Sequence, residues 1–220
     1  MPNTSEAPAE LFEPRQTATS ADFTPNPEKS LPLSRERQEL LDDILALYCC
    51  QPTVARLKRY TPDAIYDDEF SYANDRYKIA GQWFAMPKIF EKAVNEGYEV
   101  VRSDHQMIQF KNKQSWTFRL IPKTITVTHL ITLSLDPSTR DTDFMQIKYH
   151  KDQANDRDYS HEGVRFGFKK WQAEMTARFL PNAPELAASE ADRRSGGEEE
   201  VRRWGTGTEE GDAPKGEYRR

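Results

Sequence analysis

The chain has few of the features that assign a protein to a specialised class. Its 220 residues include only two cysteines, the neighbours Cys49 and Cys50. Adjacent cysteines form a strained disulfide and lack the spacing of metal ligands, so we expect reduced thiols in a reducing compartment. No apolar run approaches the roughly 18 residues of a membrane-spanning helix, and the N-terminus lacks the apolar stretch of a signal peptide. The sequence therefore predicts a cytoplasmic protein without a membrane partner.

Clustered positive charge is also missing. The 31 Lys and Arg residues are outnumbered by 36 Asp and Glu residues, which gives a formal net charge of −5. The acidic excess comes from the two ends of the chain, and the middle is close to neutral. Because nucleic-acid-binding proteins present a dense basic patch, nucleic acid is not an expected partner.

The two ends differ in composition from the middle. Residues 1–33 are rich in proline, and residues 181–220 are rich in glycine and glutamate. Neither end has enough apolar residues to offset the entropy lost on ordering, so both are predicted to be disordered. Residues 34–180, about 150 in number, are enough for a single core, and they form the predicted domain.

Apolar periodicity predicts helices in the first part of this domain. Ser34 is a suitable N-cap for a helix over residues 34–49, and Pro52 suits the first turn of a second helix. A strand carrying Asp67 and Asp68 follows, then a polar turn at residues 73–75 and a short strand at 77–79.

The next segment is predicted to be helical around Trp83. Pro87 is expected to kink this helix or to begin a new segment, and Gly97 is expected to end it. A period of two then predicts strands over residues 99–110, 115–120, 124–135 and 144–150, with a tight turn at Asn112. A last helix is predicted to start at Ser160.

This order predicts an α+β fold in which a strongly curved antiparallel sheet wraps around N-terminal helices, with an added C-terminal helix. Two strands indicate which residues face inward. The 124–135 strand has one apolar face, and the 144–150 strand is expected to turn Met145, Ile147 and Tyr149 toward the core. The predicted buried core comprises Trp83, Trp116, Phe118, Val127, Ile131 and Ile147.

A family resemblance agrees with this order. The run Tyr60-Thr61-Pro62-Asp63-Ala64-Ile65-Tyr66-Asp67-Asp68, followed by Ile79-Ala80-Gly81, resembles the NTF2-like superfamily, which includes the SnoaL-type polyketide cyclases and the ketosteroid isomerases. The resemblance covers about residues 36–152 and implies a conical domain with a ligand-binding cavity. Residues 147–152 and 158–163 resemble more narrowly a set of uncharacterised NTF2-like proteins of filamentous fungi, from which no activity carries over. Fold alone does not imply function.

Asp67 and Asp68 are the first candidates for chemistry. Successive strand residues point to opposite faces, so only one of them can enter a cavity. The resemblance places Asp68 where the isomerases hold their proton-shuttling carboxylate, although Glu69 stands where that family usually has proline. The alternative is that Asp68 binds backbone groups at the end of the strand.

His129 and two tyrosines are the other catalytic candidates. His129 lies on the apolar face of the 124–135 strand, where burial favours a neutral ring that can accept or deliver a proton. Tyr149 or Tyr66 could donate a hydrogen bond to a developing oxyanion. The alternatives are a core histidine satisfied by one partner and aromatic rings that only pack. The predicted ligand-binding residues are Tyr66, Trp83, Trp116, Val127, Ile131 and Ile147.

No metal or cofactor is expected. The polar run after residue 149 contains residue types that bind metals, but its spacing fits no metal site. The run consists of His150, Asp152, Asp156, Asp158 and His161.

Three functions remain open. The first is binding of a small apolar molecule in the conical cavity, without chemistry. The second is a cofactor-independent isomerase, dehydratase or cyclase that uses Asp68 and His129 as an acid–base pair, with Tyr149 or Tyr66 as oxyanion donor. The third is a protein-interaction module that forms a homodimer through the sheet, since the outer face of the 124–135 strand is uncharged. That face consists of Thr126, Thr128, Leu130 and Thr132.

Overall fold

The structure, a computed structural model, describes residues 8–14, 22–68, 71–120 and 123–154. These residues form short 3₁₀ helices at Ala9–Phe12 and Pro27–Lys29, three α-helices and six strands. The α-helices are α1 (Arg35–Tyr48), α2 (Val54–Leu57) and α3 (Arg76–Ile89). The strands are β1 (Tyr60–Asp67), β2 (Tyr72–Ala73), β3 (Phe90–Ser103), β4 (Met107–Phe118), β5 (Thr124–Leu135) and β6 (Ile147–Ala154).

Short polar side chains begin the helices. The Ser34 hydroxyl accepts a hydrogen bond from the backbone N–H of Arg37, which confirms the predicted start of α1. Thr53 caps α2 in the same way, and the Asp75 carboxylate caps α3 by accepting from the N–H of Lys78 at 2.7 Å. Because Asp75 starts a helix, the strand predicted at residues 77–79 is wrong. Those residues form the first turn of α3, and β1 pairs with Tyr72–Ala73 instead.

The predicted boundaries between α3, β3 and β4 are also wrong. Pro87 lies in the last turn of α3, and the chain is extended from Phe90 onward. Gly97 does not end the helix: it lies inside β3 at a register shift, with a φ of +144° that glycine tolerates. Asn112 is not in a turn but in the middle of β4, paired with Tyr98 and His129. A short polar residue favours turns, and here that tendency is overridden by pairing on both sides.

The six strands form one curved, mixed sheet in the order β2-β1-β6-β5-β4-β3. All neighbouring pairs are antiparallel except β1 and β6, which are parallel. The β3–β4 pairing contains three register shifts. Such bulges bend a strand and increase its twist, so they account for curvature in the long arm of the sheet.

The concave face of the sheet carries the main core. The apolar faces of the helices pack there, with Leu40, Ile44 and Leu47 from α1 and Ile79 and Trp83 from α3. The sheet contributes the buried residues Tyr60, Tyr66, Val100, Ile108, Phe110, Trp116, Ile131, Leu133, Leu135 and Ile147. Of the predicted core residues, Trp83, Trp116, Ile131 and Ile147 are buried, whereas Phe118 and Val127 are half-buried.

Part of the N-terminal segment lies against the domain. Ala9 and Phe12 pack with Ile65, Tyr72 and Tyr149 in a second cluster separate from the main core. Glu13 forms a salt bridge of 2.7 Å with the buried ammonium of Lys151. We call residues 8–14 the N-terminal strap. The sequence predicts disorder here because the strap is rich in proline and lacks apolar periodicity, whereas its apolar and ion-pair contacts are with residues distant in the chain.

Residues 22–33 also contact the sheet. The backbone N–H of Asn26 donates to Glu99 at 2.7 Å, and the N–H of Leu31 donates to the Val100 carbonyl at 2.9 Å. These bonds run along β3, the outermost strand of the long arm. The segment therefore covers an edge that would otherwise be open to pairing.

The remaining predictions concern the surface and the C-terminus. On β5, Thr126 is exposed, but Leu130 and Thr132 are already buried within one chain, so less of this face is available for the predicted dimer. No helix among the described residues is long and apolar enough to cross a membrane. The helix predicted from Ser160, the tail 181–220 and the domain end at 180 lie outside the described residues.

Candidate functional site

An irregularity in β6 decides which side chains reach the concave face. Leu135 of β5 pairs with Ile147, but the next residue along β5, Ser134, pairs with Tyr149, so one extra residue is accommodated on β6. Such a bulge reverses the alternation of faces. Ile147 therefore faces the main core, while Tyr149 belongs to the second cluster with Ile65 and Tyr72. The prediction that Tyr149 faces inward is wrong for this reason.

His150 and Asp152 occupy the concave face instead, and Asp152 joins His129 to helix α1. Its Oδ1 lies 2.7 Å from Nδ1 of His129, and its Oδ2 accepts a hydrogen bond of 2.6 Å from the Tyr48 hydroxyl. All three side chains are buried. A carboxylate that binds one ring nitrogen of a histidine orients the ring and selects its tautomer.

His150 extends this network toward β1. Its Nε2 lies 3.2 Å from the Tyr48 hydroxyl and its Nδ1 lies 2.8 Å from the Tyr60 hydroxyl. The Tyr60 ring is nearly parallel to the imidazole, and the Tyr66 ring meets it edge-on with centroids 4.8 Å apart. Five side chains therefore form one buried network, namely Tyr60, His150, Tyr48, Asp152 and His129.

One assignment of hydrogens satisfies every bond in this network. Tyr60 donates to Nδ1 of His150, Nε2–H of His150 donates to the Tyr48 oxygen, and Tyr48 donates to Asp152. Asp152 then accepts from Nδ1–H of His129. This assignment requires a neutral His150 and an ionised Asp152.

The pKa shifts agree with those charge states. Burial lowers the pKa of His150 to about 4, so the ring is neutral near pH 7. Burial by itself would raise the pKa of the Asp152 carboxyl, but the charge and hydrogen bond of His129 and the hydrogen bond of Tyr48 outweigh it and lower this pKa. Burial, with the negative charge of Asp152, raises the pKa of Tyr48 well above its ordinary value. Tyr48 therefore stays a hydrogen-bond donor.

Aromatic rings enclose the network. Trp83 of α3 meets Tyr48 and Tyr66 edge-on, with centroids 5.0 and 5.3 Å away. Trp116 of β4 meets the His129 ring at 87°. The indole N–H of Trp116 donates to the Tyr48 carbonyl at 3.0 Å, which ties the end of α1 to the sheet. These rings surround the network with apolar groups. Hydrogen bonds are stronger in such low-polarity surroundings than in water.

Beside His129 the concave face of β4 is polar. Asn112 and Gln114 are both completely buried, and Asn112 pairs directly with His129 across the strands. Asn95 of β3 donates to the side-chain oxygens of both. The site thus combines an aromatic wall with an amide wall, and His129 lies between them.

Asp68 lies at the end of β1, where its Oδ1 accepts a hydrogen bond of 2.6 Å from the backbone N–H of Ser71. This is the backbone-binding alternative stated from the sequence. After burial itself, the charge of Asp68 is the largest cause that raises the pKa of Tyr66, so Asp68 lies near the aromatic wall. The carboxylate bound to His129 is Asp152, not Asp68. Tyr149 donates to Asp67 on the other face of the sheet.

The predicted ligand-binding residues mostly share the concave face. Tyr66, Trp83, Trp116, Ile131 and Ile147 are buried in the main core, and Val127 packs against it. Sequence reasoning missed Tyr48, Tyr60, Asn112, His150 and Asp152. The available signal was the pair His150 and Asp152 at strand spacing, which shares one face of β6. It was treated only as a metal motif, and the described residues contain no group of three side chains arranged to hold a metal.

Comparisons with known proteins give matches among solved structures. No protein-family model and no curated protein matches this chain. Several solved structures match part of it. A candidate polyketide cyclase from Xanthomonas campestris pv. campestris is 13% identical, covers 54% of this chain and 91% of its own, and has a TM-score of 0.43. A candidate calcium/calmodulin-dependent protein kinase II association domain from Xanthomonas campestris is 19% identical, covers 61% and 96%, and has a TM-score of 0.44.

A third similar structure, from Catenulispora acidiphila, has a ketosteroid isomerase-like fold and was solved with trimethylamine. It is 12% identical, covers 52% of this chain and 83% of its own, and has a TM-score of 0.41. The fold itself is α+β, with a curved six-stranded mixed sheet. At these identities and TM-scores the matches carry no argument about family or function, and the narrower resemblance to proteins of filamentous fungi is not supported.

Proposed function

We propose that the protein is a cofactor-independent proton-transfer enzyme, of the isomerase, dehydratase or cyclase kind, that acts on a small and largely apolar molecule. The observation that carries this proposal is the Asp152 carboxylate, buried and bound at once to His129 Nδ1 and to the Tyr48 hydroxyl. A buried charge is costly unless it is paired. The hydrogen bonds to His129 and Tyr48 offset that cost, and the bond to His129 also holds the histidine in one tautomer.

In this mechanism His129 is the base. In its neutral form, its Nε2 takes a proton from a carbon of the substrate, and the electron pair of the broken C–H bond moves into the substrate. Asp152 accepts from Nδ1–H and stabilises the imidazolium that forms without taking the proton itself. The same Nε2–H then returns the proton to a different carbon or to a leaving hydroxyl, which gives an isomerisation or a dehydration.

Tyr48, His150 and Tyr60 are positioning residues in this proposal. Tyr48 donates to the second oxygen of Asp152, His150 bonds Tyr48, and Tyr60 bonds His150. Tyr66 is the phenol proposed to donate to a substrate oxygen, because burial raises its pKa well above its ordinary value and keeps it protonated. Asp68 is assigned an electrostatic role beside Tyr66. The acid–base pair predicted from the sequence is Asp68 with His129, and in this proposal Asp152 takes the place of Asp68.

A general test uses nitrobenzisoxazole, a flat and apolar molecule whose ring opens when a base removes its carbon proton. The full chain should accelerate this opening. His129→Gln and Asp152→Asn should each reduce the rate constant by a factor of about 100, as for loss of a general base or of its support. Tyr149→Phe is the matched control, because Tyr149 lies on the opposite face, and it should keep the wild-type rate.

Binding without chemistry is the second candidate, and the aromatic wall is the observation that favours it. One outcome is that the probe quenches tryptophan fluorescence while its ring opens at the same rate with wild type and with both site variants. That result would reject the enzyme hypothesis and retain the binding hypothesis. Absence of both quenching and acceleration would reject the two together.

A further inference from the structure

Strand β6 changes register with both of its neighbours at the same residue. On β5 and on β1 alike, one residue pairs with Ile147 and the next residue to pair does so with Tyr149. Lys148, which lies between them, is paired with no residue of β1 or β5. A bulged residue is left out of the strand ladder. The position of Lys148 therefore depends on its side-chain contacts.

Two side chains of β1 hold this part of β6. The Lys148 ammonium donates to both carboxylate oxygens of Asp63, at 2.8 and 2.9 Å. The Thr61 hydroxyl donates to Asp63 at 2.8 Å and lies 3.4 Å from the carbonyl oxygen of Ile147. The Lys148 side chain is only 5% exposed, whereas that of Asp63 is 38% exposed. The bulge thus carries a buried cation whose counterion reaches the solvent.

The register of β6 decides which side chains belong to the buried network. Side chains alternate along a strand, so a slip of one residue exchanges the two faces. In the observed register His150 and Asp152 lie on the concave face, while Tyr149 and Lys151 contact the N-terminal strap. A slip would bring the Lys151 ammonium to the concave face and would remove the carboxylate that binds His129.

We propose that Lys148 and Asp63 are positioning residues for the buried network, because their ion pair fixes the extra residue of β6 and so keeps His150 and Asp152 on the concave face. A buried ammonium is costly without its counterion. A bulge moved by one residue in either direction would present an uncharged side chain to Asp63. The ion pair therefore selects one place for the bulge. This inference goes beyond the proposed function, since the network needs the support whether it serves proton transfer or only binding.

A second buried lysine on the same strand provides a comparison. The Lys151 ammonium lies 2.7 Å from Glu13, and its side chain is 4% exposed. Lys151 follows the bulge and is paired with Asp67 of β1 and with Thr132 of β5. Loss of the Glu13 carboxylate should therefore weaken the fold without releasing the register.

The charge of the His150 ring reports the register. Burial lowers its pKa to about 4, whereas an exposed imidazole has the ordinary value of 6.5. At about pH 5.5 the ring is therefore neutral inside the network and mostly protonated outside it. NMR of the histidine ring nitrogens in the full chain distinguishes the two forms, and His150→Gln identifies the signal. Wild type should show a neutral ring.

The variants at the bulge should change that signal. Lys148→Met should convert most of it to the protonated form, which corresponds to a rise in the pKa of His150 from about 4 toward 6.5. Lys148→Arg should keep the neutral ring, because a guanidinium can also donate to both oxygens of Asp63. Glu13→Gln is the matched control, and it should keep the neutral ring although its urea midpoint falls. If Lys148→Met gives no cooperative urea transition, Asp63→Asn takes its place.

Three results would overturn the inference. The first is a neutral His150 ring in Lys148→Met and in Asp63→Asn. The second is protonation to the same extent in Glu13→Gln, which would indicate a general loosening of the fold rather than a loss of register. The third is a protonated ring in wild type. Failure of wild type to open nitrobenzisoxazole, with the NMR results as expected, would reject the proposed enzyme and leave this inference standing.

Discussion

Tyr149 and His150 are consecutive in the chain, and their rings lie on opposite faces of the sheet. Tyr149 packs in the second cluster beneath the N-terminal strap and donates to Asp67. His150 lies in the buried network and bonds Tyr48 and Tyr60. A one-residue bulge in β6 separates their functions, since it sends His150, and Asp152 with it, to the face that carries His129.

The buried His150 ring makes stability depend on pH. Its folded pKa of about 4 lies below the ordinary value of 6.5. As the pH falls through 6.5 the unfolded ring binds a proton and the folded ring does not, so stability should decrease until about pH 4 and then level off. The full loss is on the order of 3 kcal/mol. Urea denaturation between about pH 7 and about pH 4 should show this slope, and His150→Gln should flatten it.

His105 supplies the control for that experiment. It is exposed in the turn between β3 and β4, so His105→Gln removes one imidazole without disturbing the buried network and serves as the matched comparison. An equal slope in wild type and in His150→Gln would contradict a neutral, buried His150.

Ile131 tests the assignment of the concave face. It is 0% exposed in the main core, and Ile131→Ala should lower the free energy of unfolding by about 2–5 kcal/mol because it leaves a cavity. Thr126→Ala, at an exposed position of the same strand, removes one hydrogen bond to the Ser115 hydroxyl and should lower it by only about 1 kcal/mol. Chemical denaturation measures both. Similar values for the two variants would mean that the face of β5 is wrongly assigned.

The N-terminal strap should stabilise the domain. Removal of residues 1–15 would uncover Ile65, Tyr72 and Tyr149 and would take Glu13 away from the buried Lys151 ammonium. We expect a loss of about 2 kcal/mol or more in the free energy of unfolding. Glu13→Gln should reproduce only the part of this loss that comes from the ion pair with Lys151. Identical urea midpoints for the truncated and the full chain would show that the strap does not contribute.

Dimer formation through β5 stays a prediction. The surface available for the contact is smaller than the sequence indicates, because Leu130 and Thr132 are already buried within one chain. Thr126 and Thr128 remain the part to test. Thr126→Lys together with Thr128→Lys should convert a dimer to a monomer by charge repulsion, as measured by light scattering. A monomer mass for wild type at high concentration would reject the dimer.

The sequence by itself determined the sequential elements of the fold. Ser34 as an N-cap and the apolar spacing of α1 are local features, and the alternation along β5 is a property of the strand alone. Those were sufficient to predict a curved sheet around early helices and to select His129, Trp83, Trp116 and Ile131 on the concave face. The turn predicted at Asn112 and the strand predicted at residues 77–79 failed because tertiary pairing and the Asp75 cap outweigh local propensity.

Only the tertiary structure decided the site. His129, Asp152 and Tyr48 are separated by many residues and come from two strands and a helix, so no local pattern brings them together. Strict alternation along β6 predicts that Tyr149 faces the core and that His150 does not. The bulge reverses this order, and it depends on pairing with the partner strand rather than on the sequence of β6 alone. The sequence thus supplied the histidine, and the packing of β6 and α1 against β5 supplied the carboxylate that binds it.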